Sequence, residues 1–131
     1  MAQTQAIPTQ ALHDFTNTLS GETVTAAGAK MVGIKTSCTA DKDQTYAGIT
    51  ESTESGLTLA VVDSVGAADA VITAVKEFTF GEAATVKGFA ATNDAATPLI
   101  SGICCFAADV SGEKDDKLKC TMTWTLSDET A

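Results

Sequence analysis

The sequence predicts an all-β protein, a jelly-roll-like β-sandwich of about seven to eight antiparallel strands. Turn-forming stretches recur about every ten residues from Gly21 onward, which is the spacing of sandwiches and barrels. The segment KLKCTMTWTL (117–126) alternates strictly, with an apolar residue at every even position and lysine or threonine at every odd one. Trp124 follows all four cysteines, so the Cys…Trp…Cys order of immunoglobulin domains is absent, and this favours a jelly roll.

The strand segments are rich in β-branched and apolar residues and are separated by Gly-, Asp- and Ser-containing turns. They are 29–37, 45–50, 57–63, 69–80, 84–92, 99–110 and 117–126, with a Gly/Ala turn expected between 63 and 69. Val65–Phe78 also fits a helical spacing, but its β-branched run favours a strand. A short helix over 8–18 is a weaker alternative. We expect one β-sandwich domain over 21–131, preceded by an extended polar N-terminal arm over 1–20.

Composition and charge exclude several classes of partner. The 131 residues suit one domain, and a net charge of −9 is carried with eight lysines and no arginine. Arginine is the usual residue for bidentate contacts to phosphate and bases, and an acidic surface repels nucleic acid and anionic lipid. We therefore expect neither nucleic acid nor membrane as a partner, while a protein partner stays possible.

The N-terminal segment MAQTQAIPTQ has no basic region followed by an apolar one, so it does not have the pattern of a signal peptide. The four cysteines are Cys38, Cys104, Cys105 and Cys120. In a chain without a secretion signal we expect all four to be reduced thiols and the protein to be made in a cytoplasm.

No pattern in the chain predicts catalysis, a cofactor or a metal. Cys104 and Cys105 are adjacent on a strand and should point to opposite faces, and His13 is the single histidine, so zinc ligands do not converge. His13 lies beside Asp14, yet no nucleophile motif accompanies them. We therefore expect no enzyme activity.

Acidic loops and aromatic residues leave two weaker alternatives. The loop sequences DKD (41–43) and EKDD (113–116) could chelate calcium, but their spacing is not that of an EF-hand and lysines interrupt them, which favours solvated turns. A carbohydrate site would need exposed aromatic platforms. Trp124 is in phase with the apolar face of its strand, so Tyr46 is the one candidate platform.

The opposite face of the last strand carries a ladder of threonines, Thr121, Thr123 and Thr125. Such a face is polar but weakly hydrated, so it can be solvated or can lie against another protein. The solvated face is the more ordinary reading.

The C-terminal half has a layout of strands and turns similar to that of a known group of proteins. FTFGEAATVKGFAATND (78–94) has a Phe-x-Phe strand followed by an x-Val-x-Gly-Phe strand and an Asn-Asp turn. LISGICCFAADVSGEKDDKLKCTMTWTLSD (99–128) continues with an apolar strand, a turn and the alternating strand. Over roughly 76–128 this layout resembles small virion structural proteins of tailed bacteriophages, especially jelly-roll capsid cement (decoration) proteins.

The resemblance implies a protein that binds the outside of a phage capsid across neighbouring major capsid subunits and stabilises it. It implies no enzyme activity and no cofactor. We expect a homodimer, with a homotrimer as the competing arrangement. The expected contact residues are those of the arm and of the threonine ladder: Gln3, Gln5, Ile7, Pro8, Gln10, Thr121, Thr123 and Thr125. A phage tail, baseplate or fibre component and a non-catalytic ligand-binding sandwich are the alternatives.

Overall fold

A computed structural model describes residues 3–7, 30–35, 38–40, 46, 56–68, 71–93 and 100–125. This part of the chain is all-β, and its eight strands form two antiparallel sheets. The strands are β1 (Thr4–Ala6), β2 (Lys30–Ile34), β3 (Ala60–Val61), β4 (Ser64–Ala68), β5 (Val71–Thr79), β6 (Ala84–Thr92), β7 (Ile100–Gly112) and β8 (Lys117–Thr125). In these ranges no helix has the length and apolar character that crossing a membrane requires.

The larger sheet has the order β1-β7-β6-β2-β3 and the smaller one the order β4-β5-β8. The main core lies between them. The larger sheet contributes Met31, Phe89 and Cys104, and the smaller sheet contributes Phe78 and Met122, all of them buried. Side chains alternate between the two faces of a sheet, so the residues before and after each of these point to the opposite face.

The larger sheet is also buried on its far face. A second apolar cluster there includes Val32, Ala90 and Ile103, and Tyr46 and Leu59 pack against it. The central strands are therefore covered on both sides, which explains why even and odd positions of β2, β6 and β7 are both apolar. Tyr46, considered above as a sugar-binding platform, is half-buried against this cluster.

Most of the predicted strands within the described residues are confirmed, and the alternation of the last strand is confirmed from 117 to 125. The predicted strand over 57–63 is wrong in extent, because only Ala60–Val61 is a strand there. The predicted Gly/Ala turn is wrong, since it is strand β4, paired along its whole length with β5. Every side chain described in β4 is exposed, so no apolar pattern marks it as a strand. The strand at 45–50 (apart from Tyr46), the helix alternative at 8–18 and most of the arm lie outside the described residues.

The prediction that all four cysteines are reduced is wrong for two of them. Cys38 and Cys105 form a disulfide, whereas Cys104 and Cys120 are free and buried. The bonded cysteines are 67 positions apart in sequence, and the pairing of β7 with its neighbours places Cys105 on the far face of the larger sheet, where Cys38 packs. The prediction that Cys104 and Cys105 point to opposite faces of the sheet is confirmed, because Cys104 belongs to the main core and Cys105 to the cluster on the far face.

The acidic turn between β7 and β8 is held by hydrogen bonds within the turn and to Phe80. The Glu113 amide donates to Oδ2 of Asp116 at 2.8 Å, and the Asp115 amide donates to the Phe80 carbonyl oxygen at 2.7 Å. Asp115 has a φ of 74°, a left-handed conformation that Asp tolerates in turns. Among the described residues, no three His, Cys, Asp or Glu side chains are grouped so as to hold a metal ion. His13 and the loop at 41–43 lie outside those residues.

Candidate functional site

The described contact residues predicted from the sequence lie near both ends of the chain. Gln3 and Gln5 are exposed at β1, Ile7 is 45% exposed just after it, and Pro8 and Gln10 lie outside the described residues. Thr121, Thr123 and Thr125 are all exposed on β8. The fold brings Gln3, Gln5, Thr121 and Thr123 to one cleft, while Ile7 and Thr125 do not line it.

The cleft opens between the edge of the larger sheet and the edge of the smaller one. Among the described strands, β1 pairs only with β7 and ends the larger sheet, and β8 pairs only with β5 and ends the smaller one. The cleft between these two edges has a volume of about 350 Å³. Register places Gln5 opposite Cys104, so both side chains point to the face of the larger sheet that carries the main core.

The floor of the cleft is apolar. It contains Phe89 and Phe106, whose ring centroids are 6.0 Å apart with the planes inclined at 39°. Cys104, Cys120 and Met122 complete it. The sequence analysis treated these residues as ordinary core. Their alternation is that of a core strand, and nothing in it indicates that β8 is the last described strand of the smaller sheet.

The two thiols on this floor are neutral at ordinary pH. Burial raises the pKa of Cys104, and a hydrogen bond from Gln5 acts in the opposite direction. Burial, with a smaller contribution from the charge of Cys104, raises the pKa of Cys120 to about 12. A thiol is nucleophilic as a thiolate, so these groups act as small apolar side chains in the cleft.

The rim of the cleft is polar and carries one charge. Gln3, Gln5, Thr121 and Thr123 supply amide and hydroxyl groups, and Lys119 is the single charged residue among the described lining. The neighbouring Lys117 is engaged, since its ammonium lies 3.5 Å from Oε1 of Glu77. Lys119 was not singled out in the sequence, where it is one of two lysines on the odd positions of a strand.

These groups are suited to binding. Apolar contact is available on the floor, hydrogen bonding on the rim, and a single ion pair at Lys119. The free edges of β1 and β8 add main-chain donors and acceptors that no described strand occupies. Comparison of the chain with protein-family models, with curated proteins and with solved structures found no match.

Proposed function

We propose that the protein is a structural component of a virion, a cement (decoration) protein that binds the outside of a phage capsid across neighbouring major capsid subunits. The observation that carries the proposal is the convergence of Gln3 and Gln5, from the N-terminal segment, with Thr121 and Thr123, from the last strand, around one cleft. These two groups were predicted as contact residues from separate parts of the sequence. Their side chains suit a protein surface, because they form hydrogen bonds and carry no charge.

Further support comes from the two-sheet architecture and from the resemblance of 76–128 to phage cement proteins. The jelly-roll description belongs to the proposal, as do a homodimeric state, with a homotrimer as the alternative, and synthesis in the host cytoplasm before assembly onto the virion. Each copy needs only modest affinity for the capsid, since several weak contacts made together give high overall avidity.

The test uses virus particles with and without the protein. Particles that contain it should resist heat better, and purified protein added to particles that lack it should restore that resistance. Equal heat resistance of the two would overturn the cement role. Imaging distinguishes the tail alternative, since many copies arranged with icosahedral symmetry indicate cement and a few copies at one vertex indicate a tail component.

A pair of charge substitutions tests the cleft itself. Thr121→Glu with Thr123→Glu should lower occupancy on capsids, because two carboxylates on the rim must lose water when the cleft is covered. Thr58→Glu with Ser64→Glu adds the same charge at exposed positions outside the cleft and should leave occupancy unchanged. Equal losses in the two double variants would show that the cleft is not the capsid contact.

A ligand-binding sandwich is the second candidate, and the Phe89–Phe106 pair favours it because aromatic side chains line many small-molecule sites. The volume of about 350 Å³ is at the lower end of such sites, which span about 300–1,000 Å³. Phe89 is only 5% exposed, so it offers a ligand little surface. The capsid proposal therefore has the stronger support.

A further inference from the structure

We infer that the cleft binds an extended segment of a protein partner, which adds to the free edge of β8 as a fourth strand of the smaller sheet. The inference rests on the proposed function, because it takes the partner to be a protein subunit. It goes further by stating the backbone conformation and the side-chain chemistry of the segment that binds.

The sizes of the two sheets carry the first step. The larger sheet has five described strands and the smaller has three, and β8 is at the edge of the smaller one. Trp124 on β8 contacts Ser101 on β7, so β8 lies over β7, and β1 is the next strand outward in the larger sheet. One strand position beside β8, facing β1, is therefore without a strand among the described residues. The cleft occupies this position.

The free edges carry the second step. An edge strand presents a row of main-chain N–H and C=O groups, and an extended peptide can pair with them. Strand β8 is nine residues long, has no proline and has no break in its register with β5. A regular strand of this length provides several main-chain hydrogen bonds to a segment that pairs with it.

The cleft lining carries the third step, since it defines the side chains of the segment. Alternate residues of an added strand point toward the floor, where Phe106 is half-buried and favours an apolar side chain, with Cys104 and Met122 buried beside it. The other residues point toward solvent and the threonine ladder. Lys119 is on the rim and forms no ion pair with a described residue, so it favours one carboxylate on the segment.

Net charge limits the number of those carboxylates. The chain carries −9, so a strongly acidic segment would be repelled. The segment we infer therefore has alternating apolar residues, a single aspartate or glutamate near Lys119, and otherwise uncharged polar residues.

The experiment selects random displayed dodecapeptides on the purified full chain and measures their affinity as free peptides. We expect selected peptides to have alternating apolar residues and one acidic residue. On binding, the alternate amides of 117–125 that do not pair with β5 should exchange hydrogen more slowly, because the added strand pairs with them. Exchange that slows only elsewhere in the chain, or a selection that enriches no peptide, would overturn the inference.

Two lysine substitutions provide the matched control. Lys119→Glu should weaken peptide binding about tenfold, because the ion pair on the cleft rim is replaced by repulsion. Lys114→Glu changes the net charge equally but lies in the turn outside the cleft, and should have little effect. Equal weakening in both variants would mean that net charge alone controls binding, and would overturn the role of Lys119.

Two other occupants of the edge are tested by the same measurements. If two copies of the chain pair through β8, the slow exchange of 117–125 will depend on protein concentration without peptide, and the inference fails. If a small apolar molecule displaces the peptides without any change in exchange along β8, strand addition also fails. Either result removes the cleft as the site of strand addition but leaves the cement role to its own test, which fails if particles gain no heat resistance from the protein.

Discussion

The indole nitrogen Nε1 of Trp124 donates a hydrogen bond to the main-chain carbonyl oxygen of Ser101, 3.0 Å away, and so joins the two sheets. Ser101 lies at an irregularity in β7, where Gly102 pairs with Ala91 but Ile100 pairs with Thr92. A bulge of this kind redirects the backbone locally. Trp124 is half-buried, so it contributes to the free energy of unfolding through both apolar contact and this hydrogen bond.

Trp124→Ala should lower the free energy of unfolding by about 3 kcal/mol, since it removes a large side chain that packs on the main core. Trp124→Phe keeps much of the contact and loses the hydrogen bond, so it should cost about 1 kcal/mol. Thr123→Ala, on the exposed face of the same strand, should cost less than about 1 kcal/mol. Urea unfolding of the isolated protein measures all three, and equal costs for Trp124→Ala and Thr123→Ala would contradict the assigned faces of β8.

The disulfide between Cys38 and Cys105 should be detected by counting modified cysteines. In denaturant without reductant, alkylation should modify two cysteines, and after reduction it should modify four. Cys38→Ser should lower the free energy of unfolding by about 2–4 kcal/mol, because the bond closes a long loop in the unfolded chain. Modification of all four cysteines before reduction would contradict the bond.

The free thiols should be unreactive in the native protein and should make stability fall at alkaline pH. Burial raises the pKa of Cys120 from 9.0 to about 12. The folded state therefore favours the protonated thiol, a contribution that is complete below pH 9 and is lost as the pH rises toward 12. Cys120→Ala should flatten this alkaline fall in the free energy of unfolding, whereas an unchanged slope would show that Cys120 is not its source.

Gly88 and Gly66 should respond in opposite ways to alanine. A Cβ at Gly88 would collide with the carbonyl oxygen of Cys104 and lie 2.7 Å from Sγ of Cys38, so Gly88→Ala should cost about 3 kcal/mol. A Cβ at Gly66 meets nothing within 4 Å, and alanine restricts the unfolded chain, so Gly66→Ala should stabilise by about 0.5 kcal/mol. Thermal unfolding of the two variants measures the difference, and a Gly88→Ala protein as stable as the parent would contradict the close approach of these strands.

Local patterns in the sequence were enough to predict two kinds of strand. These are strands with one buried and one exposed face, and strands that are apolar throughout. Residues 117–125 alternate as their side chains do, and 84–92 was bounded by its turns on both sides. Strand β4 was missed because both its faces are exposed, and exposure leaves no periodicity in the residues. The alternation along β8 assigns the threonine ladder to the exposed face and Met122 to the core.

Only the tertiary structure decided which distant segments meet. The pairing of β1 with β7 places Gln5 beside Cys104, 99 positions later in the chain, and a sequence pattern carries no information on such a separation. The bond between Cys38 and Cys105 was missed for the same reason, since thiol pairing depends on the distance between two cysteines after folding. In the part of the chain that the structure describes, the smaller sheet ends at β8 while the larger one continues to β1. The cleft lies at this difference in sheet width, which is a property of packing, and so core residues form its base.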